Sequence, residues 1–187
     1  SCSSRMVRRL ALVVVFATLA VVLVSGLHYY LAQRLFVDLA LSGGAETTGV
    51  MLVTALGLSI ILLPIGERFV PPPWSRVLTV PPSIWMGVAF LFVSFLAISD
   101  LLLIPFEITP TIARWRALAV SVVAGGLSVL GLYNGLRLPG VRRVEIPLPD
   151  WPESLRGFRI AQLSDIHVGP MRGAGFVAAL TEVVNDL

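Results

Sequence analysis

The 187-residue sequence has no lysine, one cysteine and two histidines, and only 13% of its residues are charged. Its net charge of +3 depends on arginines that flank apolar runs, and no basic stripe with interleaved aromatics indicates a nucleic-acid surface. The single cysteine, Cys2, excludes an internal disulfide. With 56% hydrophobic residues and a mean hydropathy of +0.88, the composition excludes an ordinary soluble domain and indicates a membrane protein.

Four long apolar runs occupy most of the first 136 residues. A helix needs about 20 mostly apolar residues to cross about 30 Å of hydrocarbon, because its backbone amides must be satisfied within the segment. The runs that meet this requirement are approximately 10–31, 49–65, 84–104 and 117–136, the second stopping at Pro64 and Gly66. We therefore predict an all-α region with about four transmembrane helices over 10–136, preceded by a cytoplasmic tail at 1–9.

The first run could instead be a signal peptide, because Arg8 and Arg9 precede its apolar core. The run is long, however, no small-x-small cleavage site follows it, and three further runs come after. These features favour an uncleaved first helix.

The arginines in the short loops predict the orientation, because they are retained on the cytoplasmic side during insertion. With the N-terminus inside, the inner set is Arg5, Arg8, Arg9, Arg68, Arg76, Arg137, Arg142 and Arg143. The outer set is Arg34, Arg114 and Arg116. Eight against three predicts a multi-pass protein of the cell (inner) membrane with a cytoplasmic C-terminal region.

His28, Trp85 and Asp100 are polar or ionisable residues of particular interest in or near the apolar runs. His28 and Trp85 lie near run ends, where amphipathic rings are expected at the membrane interface. Asp100 lies inside the third run, and a carboxylate there is costly. It could serve transport or proton relay, or pair with Arg114 or Arg116 near the predicted outer end.

The sequence pattern changes after Leu136. Residues 142–148 alternate charged and apolar side chains, and 157–163 form a short apolar run, so both are predicted strands. From Gly173 onward apolar residues recur at helical spacing, which predicts an amphipathic helix. We therefore predict that residues 137–187 are a linker followed by the β-β-α opening of an α/β domain.

Asp165 and His167 follow the second predicted strand, at the edge where open α/β sheets bind ligands. Residues two apart in an extended segment point to the same side, so this carboxylate and imidazole can converge on one cation. Oxygen and imidazole ligands suit ions such as Mn, Fe or Zn. Gly169 would permit a tight turn and leave room above the metal. Asp-x-His alone is a weak pattern, and an incidental pair remains the alternative.

The stretch from Gly157 to Gly169, G-F-R-I-A-Q-L-S-D-I-H-V-G, resembles the first motif of the calcineurin-like metallophosphoesterase superfamily. In that family strand one ends in S-D-x-H-x-G. The apolar N-terminal half is similar in architecture to the family's membrane-attached branch, which joins several spans to a C-terminal metallophosphoesterase domain.

The resemblance implies an α/β/β/α phosphoesterase with two metal ions, divalent or mixed-valence Mn, Fe or Zn. Asp165 and His167 would ligate the first metal. The family's later Gly-Asp-x-x-Asp, Gly-Asn-His-Asp/Glu and Gly-His-x-His motifs are absent from the chain. We therefore expect an inactive N-terminal fragment of a longer enzyme, truncated after the first motif.

The expected partners are the lipid bilayer and a phosphoester substrate, of which a lipid-linked one is an option. The sequence does not indicate which oligomeric state the protein adopts. The alternative function is a non-enzymatic multi-span membrane protein, a scaffold or transport-related protein, with an incidental Asp-x-His.

Overall fold

The structure, a computed structural model, describes residues 2–41, 44–71, 74–149, 152–169 and 171–187. Its α-helices among these residues are α1 (Cys2–Ala32), α2 (Ala45–Phe69), α3 (Trp74–Leu103), α4 (Pro110–Leu136) and α5 (Ala174–Asn185). A π-helix, Gln33–Val37, continues α1, and a 3-10 turn, Glu153–Leu155, lies between α4 and α5 along the chain. The chain divides into two compact units, Ser1–Leu132 and Tyr133–Leu187.

The first four helices are each long and apolar enough to cross a membrane, which confirms the predicted multi-span helical region. The part of α2 that is apolar enough to span, Ala45–Pro64, ends close to the end of the predicted 49–65, and the helix itself continues through Gly66 to Phe69. Helix α3 likewise contains Pro81 and Pro82, before the predicted start of the third run. Apolar composition marks the stretch that lipid can cover, whereas backbone hydrogen bonds carry a helix beyond it, and helices in apolar surroundings tolerate internal proline.

The core of the first unit lies among α1, α2, α3 and α4, at the level where α1 passes into the π-helix. It consists of small and branched apolar residues, which are Leu31, Ala32, Leu35, Val53, Ala89, Leu96, Val120 and Ala124. The opposite faces of the helices are exposed, as Phe16 (76%), Phe90 (70%) and Val122 (74%) illustrate. A bilayer covers such surfaces, so the exposed apolar side chains agree with a membrane environment.

His28 lies where α1 and α2 approach closely, and only 8% of it is exposed, so it is buried between helices and not partly solvated. The indole Nε1 of Trp85, on α3, donates to His28 Nε2 at 2.9 Å. An indole nitrogen is only a donor, so His28 Nδ1 carries the proton and donates to the carbonyl of Val24 at 2.7 Å. Opposite the ring lies Gly57 of α2, where an added Cβ would be 2.8 Å from ring carbons of His28.

We expect Gly57→Ala to lower the free energy of unfolding by about 1–3 kcal/mol, because the added methyl overpacks this contact. The imidazole is fixed by its bonds to Val24 and Trp85, so it cannot turn away without losing one of them. Thermal unfolding in detergent checks this. Gly26→Ala on α1 is the matched control, because a Cβ there meets no atom within 4 Å. Equal unfolding midpoints for the two variants would contradict the close-approach argument.

The second unit contains α5, which confirms the predicted C-terminal helix, but the predicted strands are not confirmed. Within the described parts of 133–187, residues 142–148 and 157–163 have no regular secondary structure. Their apolar side chains are exposed, with Ile146 at 75% and Ile160 at 83%. A strand requires a hydrogen-bonded neighbour and a covered face, and neither segment has these here.

Candidate functional site

Asp165 and His167 lie in the irregular segment that leads toward α5. Their backbones are in the left-handed region, with φ of 53° and 46°, so the extended geometry predicted for this pair is wrong. The two side chains nevertheless approach each other, with Asp165 Oδ1 and His167 Nε2 4.0 Å apart. Both are open to solvent, at 87% and 81% exposure. We call residues 165–169 the Asp-x-His loop.

The left-handed backbone of this loop is a feature that the sequence did not predict. Non-glycine residues with positive φ are uncommon, although aspartate and histidine adopt this region more readily than most. Such residues cost roughly 1–3 kcal/mol each and concentrate at functional sites, where the local conformation serves binding or catalysis. Asp165 and His167 adopt this region on either side of Ile166, as Ala40 does in the first unit, so a functional role for the loop stays a prediction.

The separation between the two candidate ligand atoms is compatible with a shared metal ion after a small adjustment. Bonds of about 2.1 Å from a metal to oxygen and nitrogen would place the two ligand atoms about 3.4 Å apart in tetrahedral geometry. The observed 4.0 Å requires a closure of about 0.6 Å, which an exposed loop permits. Asp165 and His167 thus fit as two ligands of one cation.

These two residues do not complete a site by themselves. No group of three or more His, Cys, Asp or Glu side chains that could hold a metal occurs among the residues that the structure describes. The pair therefore remains a prediction for part of a metal centre.

Gly169 closes the loop without an unusual backbone angle. Its N–H donates to the carbonyl of Arg172 at 3.2 Å. An added Cβ would meet only the carbonyl oxygen of His167, at 3.9 Å, which is an ordinary contact. A tight turn therefore does not require glycine here, and the predicted space above the metal stays a prediction.

A second group of ionisable side chains lies in the first unit and joins three segments. The ionic cluster consists of Arg34 in the π-helix, Asp38 after it, Asp100 at the end of α3 and Arg116 in α4. Arg116 contacts Asp100 Oδ1 at 2.5 Å and Asp38 Oδ2 at 2.7 Å. Arg34 contacts Asp100 Oδ2 at 3.0 Å and Asp38 Oδ2 at 3.2 Å. The Tyr30 hydroxyl donates to Asp100 Oδ2 at 2.7 Å.

The pairing of Asp100 with Arg116, predicted as one alternative, is confirmed, whereas Arg114 is exposed. The sequence does not predict the participation of Arg34, Asp38 and Tyr30, which lie at the end of the first apolar run or shortly after it. The only sequence signal for them is the i, i+4 spacing of Arg34 and Asp38, which is common on exposed helices.

A four-helix membrane region with an Asp-x-His loop defines an integral membrane protein with a candidate metal site. Comparison with known proteins makes this class more specific. A relative from Danio rerio, named transmembrane protein with metallophosphoesterase domain, is 42% identical over 66 residues, 35% of this chain and 15% of the relative. A relative with the same name from Bos taurus is 40% identical over 79 residues, 42% of this chain and 18% of the relative.

The chain spans less than a fifth of the length of either relative. These similarities support a relationship to the membrane metallophosphoesterases, which the motif at Gly157–Gly169 predicted. No family profile and no solved structure matches the chain.

Proposed function

We propose that these 187 residues are part of a longer integral membrane metallophosphoesterase and that Asp165 and His167 are ligands of its first metal. The observation that carries the proposal is the 4.0 Å approach of Asp165 Oδ1 and His167 Nε2 in a loop where both backbones are left-handed. The names of the two relatives support the reaction class. The other ligands would come from sequence beyond these residues.

Two metal ions, divalent or mixed-valence Mn, Fe or Zn, would supply the Lewis acidity and the activated water of a phosphoester hydrolase. The chain's own contribution is an anionic oxygen from Asp165 and a neutral imidazole nitrogen from His167, a donor set that suits these ions. Both side chains are exposed, so a phosphoester can reach the loop.

The membrane helices would hold the enzyme at the bilayer. Eight arginines on the predicted inner side and three on the outer side support an orientation in the cell (inner) membrane that places the Asp-x-His loop in the cytoplasm. We propose a phosphoester at that surface as the substrate, and tethering to the bilayer favours a lipid-linked one.

The test is phosphodiester hydrolysis by the longer protein in sealed vesicles. We expect metal-dependent turnover of an aryl phosphodiester by inside-out vesicles and loss of turnover with a chelator. Residues 1–187 alone are expected to show none, because two ligands cannot fill a coordination shell of four to six positions. Intact right-side-out vesicles serve as the control for sidedness and should gain activity only when permeabilised.

Robust turnover by residues 1–187 alone would contradict the proposed division of the metal site. No turnover by the longer protein with any of the three metals would contradict the enzyme assignment. Activity of sealed right-side-out vesicles toward a membrane-impermeant substrate would reverse the proposed orientation.

The alternative role in transport gains no support from the ionic cluster. Asp100 Oδ1 is paired with Arg116, and its Oδ2 with Arg34 and Tyr30. Both of its oxygens therefore have partners within the helix bundle, and the two arginines among them also contact Asp38. The cluster is better explained as a structural element of the helix bundle.

A further inference from the structure

Arg172 contacts three different parts of the second unit. One of its guanidinium nitrogens, Nη2, donates to the carbonyl of Gly135, in the last turn of α4, at 2.7 Å. Its guanidinium carbon lies 5.1 Å from the ring centre of Phe176 on α5. Its own carbonyl accepts from the N–H of Gly169 at 3.2 Å. One residue thus joins the Asp-x-His loop to the ends of two helices.

The sequence explains why the carbonyl of Gly135 needs this donor. The last four carbonyls of a helix have no intrahelical partner. The residue four positions beyond Gly135 is Pro139, which has no N–H to offer even if the helix continued. A cation at the C-terminal end of a helix is also favoured by the helix dipole. An arginine satisfies both requirements at once.

The contact with Phe176 orients the guanidinium of Arg172 toward the carbonyl of Gly135. A planar guanidinium packs on an aromatic ring and keeps its N–H groups available at the edge. Arg172 itself is half-buried, whereas its hydrogen bond to Gly135 lies at the exposed end of α4. A lysine at this position would keep the charge but lose the flat packing surface.

We infer that Arg172 is a positioning residue that ties the Asp-x-His loop to the last turn of α4. The backbone bond from Gly169 carries the constraint into the loop, only two residues from His167. If α4 crosses the membrane, this anchor sets the distance of the loop from the bilayer surface. The anchoring is independent of hydrolysis, whereas its catalytic consequence rests on the proposed function.

The geometric test uses spin labels at two exposed positions of the second unit, Asn134→Cys on α4 and Val168→Cys in the loop. Cys2→Ser removes the native thiol, and the protein is placed in lipid nanodiscs without metal. Electron paramagnetic resonance is expected to give one narrow distance distribution with Arg172 present. Arg172→Ala should broaden the distribution at least two-fold, and Arg172→Lys should restore part of the narrow component.

Arg156→Ala is the matched control, because Arg156 lies in the same unit, its side chain is 78% exposed, and its ion pair with Glu153 is a local one, three residues away. It should leave the distribution narrow. A distribution that is already broad with Arg172 present, one that stays narrow in Arg172→Ala, or one that Arg156→Ala broadens equally would overturn the inference. Unchanged thermal unfolding of the first unit in all variants shows that the bundle is intact.

The catalytic consequence is tested in the longer protein by comparing two substrates. Arg172→Ala is expected to lower hydrolysis of a lipid-anchored aryl phosphodiester about 10-fold more than hydrolysis of the soluble aryl phosphodiester, because displacement of about 1 Å costs much of a positioned reaction. Equal losses on both substrates would overturn the link to the membrane surface. The spin-label result needs neither metal nor substrate, so a failure of the proposed enzyme activity is distinguishable from a failure of the anchor.

Discussion

Arg116→Leu is expected to lower the free energy of unfolding of the first unit by about 3–5 kcal/mol, the largest stability effect that we predict for any single substitution. The Arg116 side chain is only 4% exposed, and it contacts Asp38 and Asp100, which are 16% and 24% exposed. Leucine would leave these two carboxylates close together with one arginine for both. Thermal unfolding in detergent measures the loss, expected as a fall of roughly 10 °C in the midpoint.

Arg114→Leu is the matched control, because Arg114 lies two residues earlier on α4 and is exposed. Its effect should stay within about 0.5 kcal/mol. A second variant separates electrostatics from packing: Arg116→Leu combined with Asp38→Asn should recover much of the lost stability, since it leaves Asp100 paired one to one with Arg34. Equal losses for Arg114→Leu and Arg116→Leu, or no recovery in the double variant, would show that the ionic cluster does not stabilise the bundle.

The ionic cluster also shows where reasoning from the sequence stops. Asp100 is visible because a carboxylate interrupts an apolar run, and the nearby arginines offer partners. Arg34 and Asp38 can be recognised in the sequence only as polar residues that follow the first span, with no indication of their partners on α3 and α4. A π-helix carries the chain past the end of α1 and places both beside α3 and α4. That placement depends on packing between helices, which no local pattern encodes.

The four membrane helices and α5 could be predicted because their signals are local. The length of an apolar run predicts a membrane span, and apolar residues that recur with the helical period of about 3.6 residues predict an amphipathic helix. The predicted strands at 142–148 and 157–163 also rest on local alternation, but a strand depends on a partner from elsewhere. Without one, Val144 and Ile160 remain exposed, at 68% and 83%, and the segments stay irregular.

The sequence predicted which residues make up the candidate site but not their backbone conformation. Residue type identified Asp165 and His167 as candidate ligands, and the structure places Asp165 Oδ1 and His167 Nε2 4.0 Å apart, while their binding of a metal stays a prediction. The reason given for that convergence, an extended chain, is wrong, because both residues have positive φ. A sequence pattern reports which donor atoms are close along the chain, whereas the loop conformation decides how they meet.

The second large effect is expected on metal affinity. In the longer protein, Asp165→Asn should weaken binding of the first metal by more than about 100-fold, since outer-shell changes alone cost 10–100-fold and this change removes an anionic ligand. Calorimetric titration with Mn²⁺ measures the loss. Asp186→Asn, an exposed acid on the same unit, is the control and should bind as the unchanged protein does. Equal affinity of the two variants would remove Asp165 from the metal site.

His167→Gly tests the second candidate ligand, and it separates an effect on metal binding from an effect on the stability of the metal-free protein. It removes the imidazole ligand, so metal affinity should fall as far as in Asp165→Asn, and the double variant should lose little more because both residues serve one ion. Glycine adopts the φ of 46° at this position without steric cost, and the lost side chain is 81% exposed. The thermal midpoint of the metal-free protein should therefore stay the same or rise. Lower stability of the metal-free protein would show instead that His167 holds the loop together, and that its left-handed backbone serves the fold and not the metal.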